Sequence, residues 1–225
     1  DLRRSRGLGD VYKRQLMHGT VEGIGPMKVG ELVMPTLVSL DQALHQKATF
    51  ELDVQAHEDC PHYLAVELHG VKVQPSPDWA QKQLRAIGVQ PINNVVDATN
   101  LVLHEWGHPL HAFDLDRIQG SKMVVRNAHA AEPFQTLDGQ DRKLDARDLV
   151  IADEQAPMCL AGVYGGAHSG VSDTTTKVLI EAAWFHPVTV RKTAKRHGLS
   201  TDASFRFERG VDPKTVKKAA ERCVA

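Results

Sequence analysis

The chain has 225 residues, with 27 Lys+Arg against 28 Asp+Glu, 42% hydrophobic and 24% charged, a globular composition long enough for one sizeable domain or two small ones. The longest stretch without charged or strongly polar groups, Met158 to Ala167, is ten residues, against about 20 for a bilayer span, and no apolar signal core follows the basic N-terminus. A membrane protein is excluded and a cytoplasmic location expected; the odd, scattered Cys60, Cys159 and Cys223 exclude a disulfide framework and a Cys-x-x-Cys site and are expected to be buried thiols.

Residues 1–15 have no hydrophobic period and resemble read-through of a sequencing adaptor, so they are set aside as a non-native leader. Residues 16–47 form a preceding segment without an assigned structure. From Thr49 to Gln55 the chain alternates, with Phe50, Leu52 and Val54 on one side, the period of a half-buried strand. Leu64, Val66 and Leu68 repeat it. Ser76-Pro77 then reads as an N-cap followed by proline at the first helical position, with Ala80, Leu84 and Ile87 at helical spacing and Gly88 as the stop. A second helix runs from about Asn94 to Trp106, placing Val95, Thr99, Val102, Leu103 and Trp106 on one face before Gly107 and Pro109 close it.

Strands are expected at Met123–Arg126, Leu149–Ala152, Met158–Val163 and Lys177–Ala183, with a hairpin turning at Asp138-Gly139. Pro187 opens a basic helix that Gly198 closes, and Asp212-Pro213 opens another that reaches the C-terminus. Strands outnumber helices and do not alternate with them, which favours an α+β fold with a mixed, largely antiparallel sheet and flanking helices. One domain is expected over residues 48–210, with 211–225 the start of a following helix.

Charge is divided unevenly. Residues 16–186 hold 12 Lys/Arg and 22 Asp/Glu, whereas 187–225 hold 10 and 4. A polyanion would therefore meet the C-terminal part, where Arg191, Lys192, Lys195, Arg196, Arg206 and Arg209 crowd together; a solvated helix face is the other reading.

Three strings invite chemistry. His104-Glu105-Trp106-Gly107-His108 fits H-E-x-x-H, in which two histidines one helical turn apart bind zinc and the glutamate is a general base. Gly107 and Pro109 flank the second histidine, so the helix is expected to end before both imidazoles share a face, and no third ligand follows in the usual place. Gly162-Val-Tyr-Gly165-Gly166-Ala-His-Ser-Gly170 lacks the endings of a phosphate or dinucleotide cradle and reads either as a turn or as a close approach of backbone to a ligand. Glu181 lies on the same strand face as Leu179 and Ala183, where an unpaired buried carboxylate costs several kcal/mol; an exposed strand position is the other reading.

Asn93 to Asn100, Pro109 to Asp114, Gly162 to Val171, Leu179-Ile180-Glu181 and Arg196 to Pro213, taken together, resemble the hydrolytic editing domain of the bacterial phenylalanyl-tRNA synthetase beta subunit. The likeness runs from about Cys60 to the C-terminus in the family's order and spacing. It implies the editing-domain fold and a site that hydrolyses tyrosine mischarged onto the phenylalanine tRNA. By motif matching, the family's site residues fall on His111, Gly162, Gly165, Glu181, Thr201 and Ala203, with Asn100 a neighbour. The resemblance gives Glu181 the tyrosine hydroxyl and places Thr201 in the same pocket; His111 positions water or the ester, so that His111 and Thr201 are the catalytic candidates. Gly162, Gly165 and Ala203 leave room for the aminoacyl group or terminal adenosine. Arg191, Lys192, Lys195 and Arg196 would guide tRNA. The resemblance further implies an alpha-subunit partner in a heterotetramer of two alpha and two beta chains, with ATP and Mg used by the complete enzyme and no cofactor or metal in this part. His108 stands where the family commonly has glutamine. Two alternatives stay open: a tRNA- or subunit-binding module without catalysis, and a zinc hydrolase on His104 and His108.

Overall fold

The computed structural model describes residues 39–40 and 49–225; the expected leader and most of the segment over 16–47 lie outside the described residues. Strand β1 (Glu51–Val54) realises the core of the first alternating run, with Phe50, Leu52 and Val54 packed against the interior. β2 (His62–His69) follows, then α1 (Asp78–Ala86), α2 (Asn94–Trp106) and β3 (Leu110–Asp114). Next come β4 (Lys122–Asn127), the small hairpin of β5 (Pro133–Gln135) and β6 (Asp141–Lys143), β7 (Leu149–Ala152), β8 (Pro157–Leu160), β9 (Tyr164–Gly165) and β10 (Lys177–Trp184). Helices α3 (Pro187–His197), α4 (Asp202–Phe207) and α5 (Val216–Val224) complete the chain.

The main sheet has five strands in the order β1-β4-β7-β8-β9, and a second has three in the order β2-β10-β3. Only β1 and β4 pair in parallel; every other pairing between named strands is antiparallel, giving the mixed α+β architecture expected from the sequence.

β10 is the element that organises the interior. Its residues from Val178 to Ala183 are all buried between β2 and β3, and alternation divides them between two cores. Leu179 and Ala183 join a core with Phe113, Met123, Ile151, Leu160 and Phe185, while Val178, Ile180 and Ala182 join one with Val66, Val95, Val216 and Ala220. Fully burying a leucine or isoleucine is worth about 1.5–3 kcal/mol, so a strand apolar on both faces belongs between two layers. Helix α5, set beyond residue 210 in the sequence reading, docks on the second of these faces through Val216 and Ala220.

Four local expectations change. Ser76 does not cap α1: Pro77 occupies the N-cap, and the Ser76 hydroxyl donates to Asp97 across 2.5 Å instead. Asp97 also accepts from the Ile92 amide, so the serine joins α1 to α2, a long-range use that cap statistics do not anticipate. The strand expected to run to Val163 stops at Leu160, because Gly162 turns with φ +68°. The last helix begins at Val216 after a 3-10 turn over Pro213–Thr215. Cys60 and Cys159 are buried, but Cys223 is only partly so.

The other termini follow the residues. Asn93 caps α2 by accepting from the amides of Val95 and Val96, and Gly107 ends it in the left-handed region, φ +69°. His186 precedes Pro187 at the start of α3, and Gly198 closes that helix.

Candidate active site: a carboxyl at the floor of an apolar cleft

Between the two sheets and α4 lies a cleft of about 210 Å³, smaller than the roughly 300–1,000 Å³ usual for drug-sized ligands. His111, Gly162, Gly165, Glu181, Thr201 and Ala203 all line it. Asn100, on α2, does not. The remaining walls are mostly apolar, including Leu110, Leu137, Val163 and Phe207, and among the described residues the lining contains no lysine or arginine.

Glu181 forms the floor. It is 5% exposed and sits in register with His111 of β3 on one side and Ala65 of β2 on the other. Directly opposite residues of an antiparallel pair project to one face, which brings Glu181 and His111 into the same space. The Tyr63 hydroxyl donates to Glu181 Oε2 across 3.0 Å, and Oε1 has no hydrogen-bond partner among the described residues. Burial pushes the Glu181 carboxyl up to about 8, against the smaller downward pull of the Tyr63 hydrogen bond. At neutral pH the group is therefore mostly protonated, a polar acid rather than a full charge. Tyr63 was missed in the sequence because only the opposite face of its strand, Leu64, Val66 and Leu68, carried the pattern.

The His111 ring meets Phe113 edge-on at 4.5 Å between centroids and makes no hydrogen bond among the described residues. Burial lowers its pKa to about 4, so it is a neutral imidazole at neutral pH, able to accept from water. Beyond it, Asp114 secures the end of β3 by accepting from Thr175 Oγ1 at 2.6 Å.

Thr201 reaches the cleft as the N-cap of α4. Its hydroxyl donates to the Val163 carbonyl at 2.9 Å and accepts from the Ser204 amide at 3.0 Å in a reciprocal capping box. The single hydroxyl proton is thus engaged, and the residue joins α4 to the glycine turn. This carries Ala203 to the cleft wall.

The glycines serve different ends. A Cβ on Gly162 would stand 2.9 Å from both Phe185 and Phe207, so this position is small for packing and for its positive φ. A Cβ on Gly165 would meet Leu137 at 2.8 Å and His111 at 3.1 Å, so its absence is what lets those two side chains close on the cleft. Leu137, 53% exposed at the rim, was not singled out from the sequence. Its amide bonds the Gly165 carbonyl at 3.1 Å.

The basic residues do not act as one patch. Arg191, Lys192 and Lys195 are exposed on α3 and form no ion pair among the described residues. Arg196 instead pairs with Asp148, a fully buried carboxylate that His197 also contacts at 2.7 Å. Arg206 is 6% exposed and bonds Asp202, and Arg209 lies over the Phe205 ring at 3.5 Å. Arg196 and Arg206 thus have local acidic partners, unlike the three exposed cations of α3.

The zinc-like string separates at Gly107. His104 Nδ1 faces Arg206 at 3.4 Å, whereas His108, fully buried, bonds Thr215 Oγ1 through Nδ1 at 2.9 Å. Among the described residues no three His, Cys, Asp or Glu side chains converge on a point where a metal could sit. No helix among the described residues is long and apolar enough to cross a membrane.

Residues 59–225 match the family described as the B3/4 domain. The phenylalanine–tRNA ligase beta subunit of Bacteroides thetaiotaomicron is 55% identical over 166 residues, 74% of this chain and 20% of the relative. That of Porphyromonas gingivalis is 47% identical over 200 residues, 88% of this chain and 24% of the relative. The chain thus spans about a fifth to a quarter of the length of these curated relatives. A crystal structure of an N-terminal fragment of the phenylalanyl-tRNA synthetase beta subunit from Pyrococcus horikoshii aligns with TM-score 0.45 and 14% identity, over 68% of this chain and 50% of that one.

Proposed function

Given that the chain belongs to the B3/4 domain family and is similar to part of phenylalanine–tRNA ligase beta subunits, we propose that its cleft hydrolyses tyrosine esterified to the phenylalanine tRNA. The observation that carries this reading is the buried carboxyl of Glu181, with one oxygen held by Tyr63 and the other without a partner among the described residues, in an apolar cleft.

A synthetic site shaped for phenylalanine rejects one added oxygen weakly, so a second site that requires the hydroxyl restores fidelity. Here the requirement rests on Glu181 Oε1. A tyrosine phenol supplies its missing partner; a phenylalanine ring leaves it unpaired in the desolvated cleft, at about 1–3 kcal/mol. With the side chain seated on Glu181, the ester carbonyl lies toward the His111 side. Water adds to the carbonyl carbon, the ester C–O bond breaks, one water proton ends on the ribose hydroxyl, and the other passes to solvent as the amino acid leaves as a carboxylate. Neutral His111 accepts a hydrogen bond from the attacking water and holds it. An aminoacyl ester is activated enough that positioning supplies most of the acceleration, without a serine or cysteine nucleophile. Thr201 and Ala203 shape the wall, and Arg191, Lys192 and Lys195 attract the acceptor end by counterion release.

In this proposal the chain works within the beta subunit, alongside an alpha subunit in a heterotetramer of two of each, and amino-acid activation with ATP and magnesium belongs to other parts of that enzyme. Deacylation of tyrosine-charged against phenylalanine-charged tRNA by the purified chain tests it. Faster release of tyrosine is expected; equal rates, or binding without turnover, would instead favour a binding module.

A further inference from the structure

On the proposed reading of the cleft, we infer that Tyr63 is a positioning residue for hydroxyl recognition: its phenol holds Glu181 Oε2 from behind, so that Oε1 alone is presented to the ligand. The carboxyl would then lie between two phenols, one built into β2 and one brought by the substrate.

The placement follows from register. Tyr63 pairs with Ala183 and Ala65 with Glu181, so the tyrosine lies diagonal to the acid on the same sheet face, where a long side chain reaches it. Its ring packs against the core that contains Met123, and its oxygen lies 3.1 Å from the Met123 sulfur, a weak acceptor that leaves the phenolic proton for Glu181. Burial and the neighbouring acid hold the Tyr63 phenol well above its ordinary range, so it remains a donor wherever the protein works.

Tyr63 is also the only hydrogen-bond partner of the Glu181 carboxyl among the described residues. The other titratable groups around the acid are the Cys60 thiol before β2, Cys159 on β8 and His111 on β3. Burial holds both thiols protonated and the imidazole neutral, so none supplies a charge that would fix the carboxyl. Without the Tyr63 hydroxyl, the acid could turn either oxygen to the cleft or bend toward the vacated space. A ligand phenol would then have to order it at the moment of binding, which weakens discrimination.

The full chain carrying Tyr63→Phe is compared with wild type in two measurements: the ratio of tyrosyl to phenylalanyl deacylation, and the titration of the Glu181 carboxyl carbon by 13C NMR. We expect the ratio to fall about tenfold, the value of a hydrogen bond to a polar acid, and the carboxyl midpoint to move upward by about half a pH unit or more. A second replacement, 3-fluorotyrosine at position 63, keeps the shape and strengthens the donor; it should preserve the ratio and move the midpoint downward. An unchanged ratio and an unchanged midpoint in Tyr63→Phe overturn the inference. If that variant does not fold, the fluorotyrosine chain decides alone, an unmoved midpoint counting against it. A wild-type chain indifferent to tyrosine defeats the functional reading, and the carbon titration still judges the Tyr63 contact separately.

Discussion

Tyr63 and Glu181 join oxygen to oxygen across 3.0 Å, so the acid at the floor of the cleft is already half satisfied by the protein. The arrangement alters what the carboxyl can demand. A lone buried carboxylate would require a cation, whereas an acid held by one phenol and protonated at neutral pH is completed by a neutral hydroxyl. The cleft's lack of lysine and arginine agrees with that demand.

Replacing Glu181 by alanine should therefore affect selectivity before stability. We expect tyrosyl deacylation to fall at least about tenfold while the unpaired Tyr63 hydroxyl costs roughly 1–3 kcal/mol. Kinetics and urea midpoints measured on the same preparation check this; a parallel loss of fold and rate would make the residue structural.

The same group gives a signed pH dependence. Its folded value, about 8, lies above the ordinary 4.5, so the folded chain binds the extra proton between those values. The Glu181 contribution is fully present below about pH 4.5 and is lost as pH rises through about 8. Comparing urea midpoints at pH 5 and pH 8.5, Glu181→Gln should lose less stability than wild type over that interval.

His111 behaves oppositely. With its folded value lowered from 6.5 to about 4, its contribution is present above pH 6.5 and is lost as pH falls through about 4. Deacylation should consequently show no His111 inflection near 6.5, and His111→Ala should slow it by about 10²-fold, the lower end of positioned proton-transfer effects. A rate that His111→Ala leaves unchanged would remove the imidazole from the reaction.

Gly162 offers a structural control. Alanine there would sit at φ +68° with its Cβ 2.9 Å from two phenylalanine rings. The left-handed backbone and overpacking together should cost about 2–5 kcal/mol, read as a lower denaturant midpoint with an unchanged slope.

On α3 the cations should separate by role. Changing Arg191, Lys192 and Lys195 to alanine is expected to weaken tRNA binding and reduce its salt dependence by up to about three contacts, with stability nearly unchanged. Arg196→Ala should instead destabilise the chain by about 3 kcal/mol, because it strips a partner from buried Asp148.

Much of this site was legible before any coordinates. The period of two over Val178–Ala183 put Glu181 on one face with Leu179 and Ala183, and those faces became the walls of separate cores. Helix ends marked by Gly107 and Gly198 were equally clear, since a positive φ leaves few other residues available. Other features depend on distant neighbours. Ser76 resembles a cap until Asp97 stands opposite, and Arg196 resembles a surface cation until Asp148 is seen in the interior. Helix α4, which the sequence reading did not expect, is only six residues long, too short for an apolar period; the capping pair Thr201 and Ser204 is the signal that could have found it.

Because β10 is shared by both cores and flanked by a strand on each side, the floor of the cleft sits on a segment held from four directions. Amide protons along Val178–Ala183 should exchange only through global opening, while those around Leu137 exchange through local fluctuation. The bottom of the cleft is thereby fixed in shape, and what freedom it has lies at the rim.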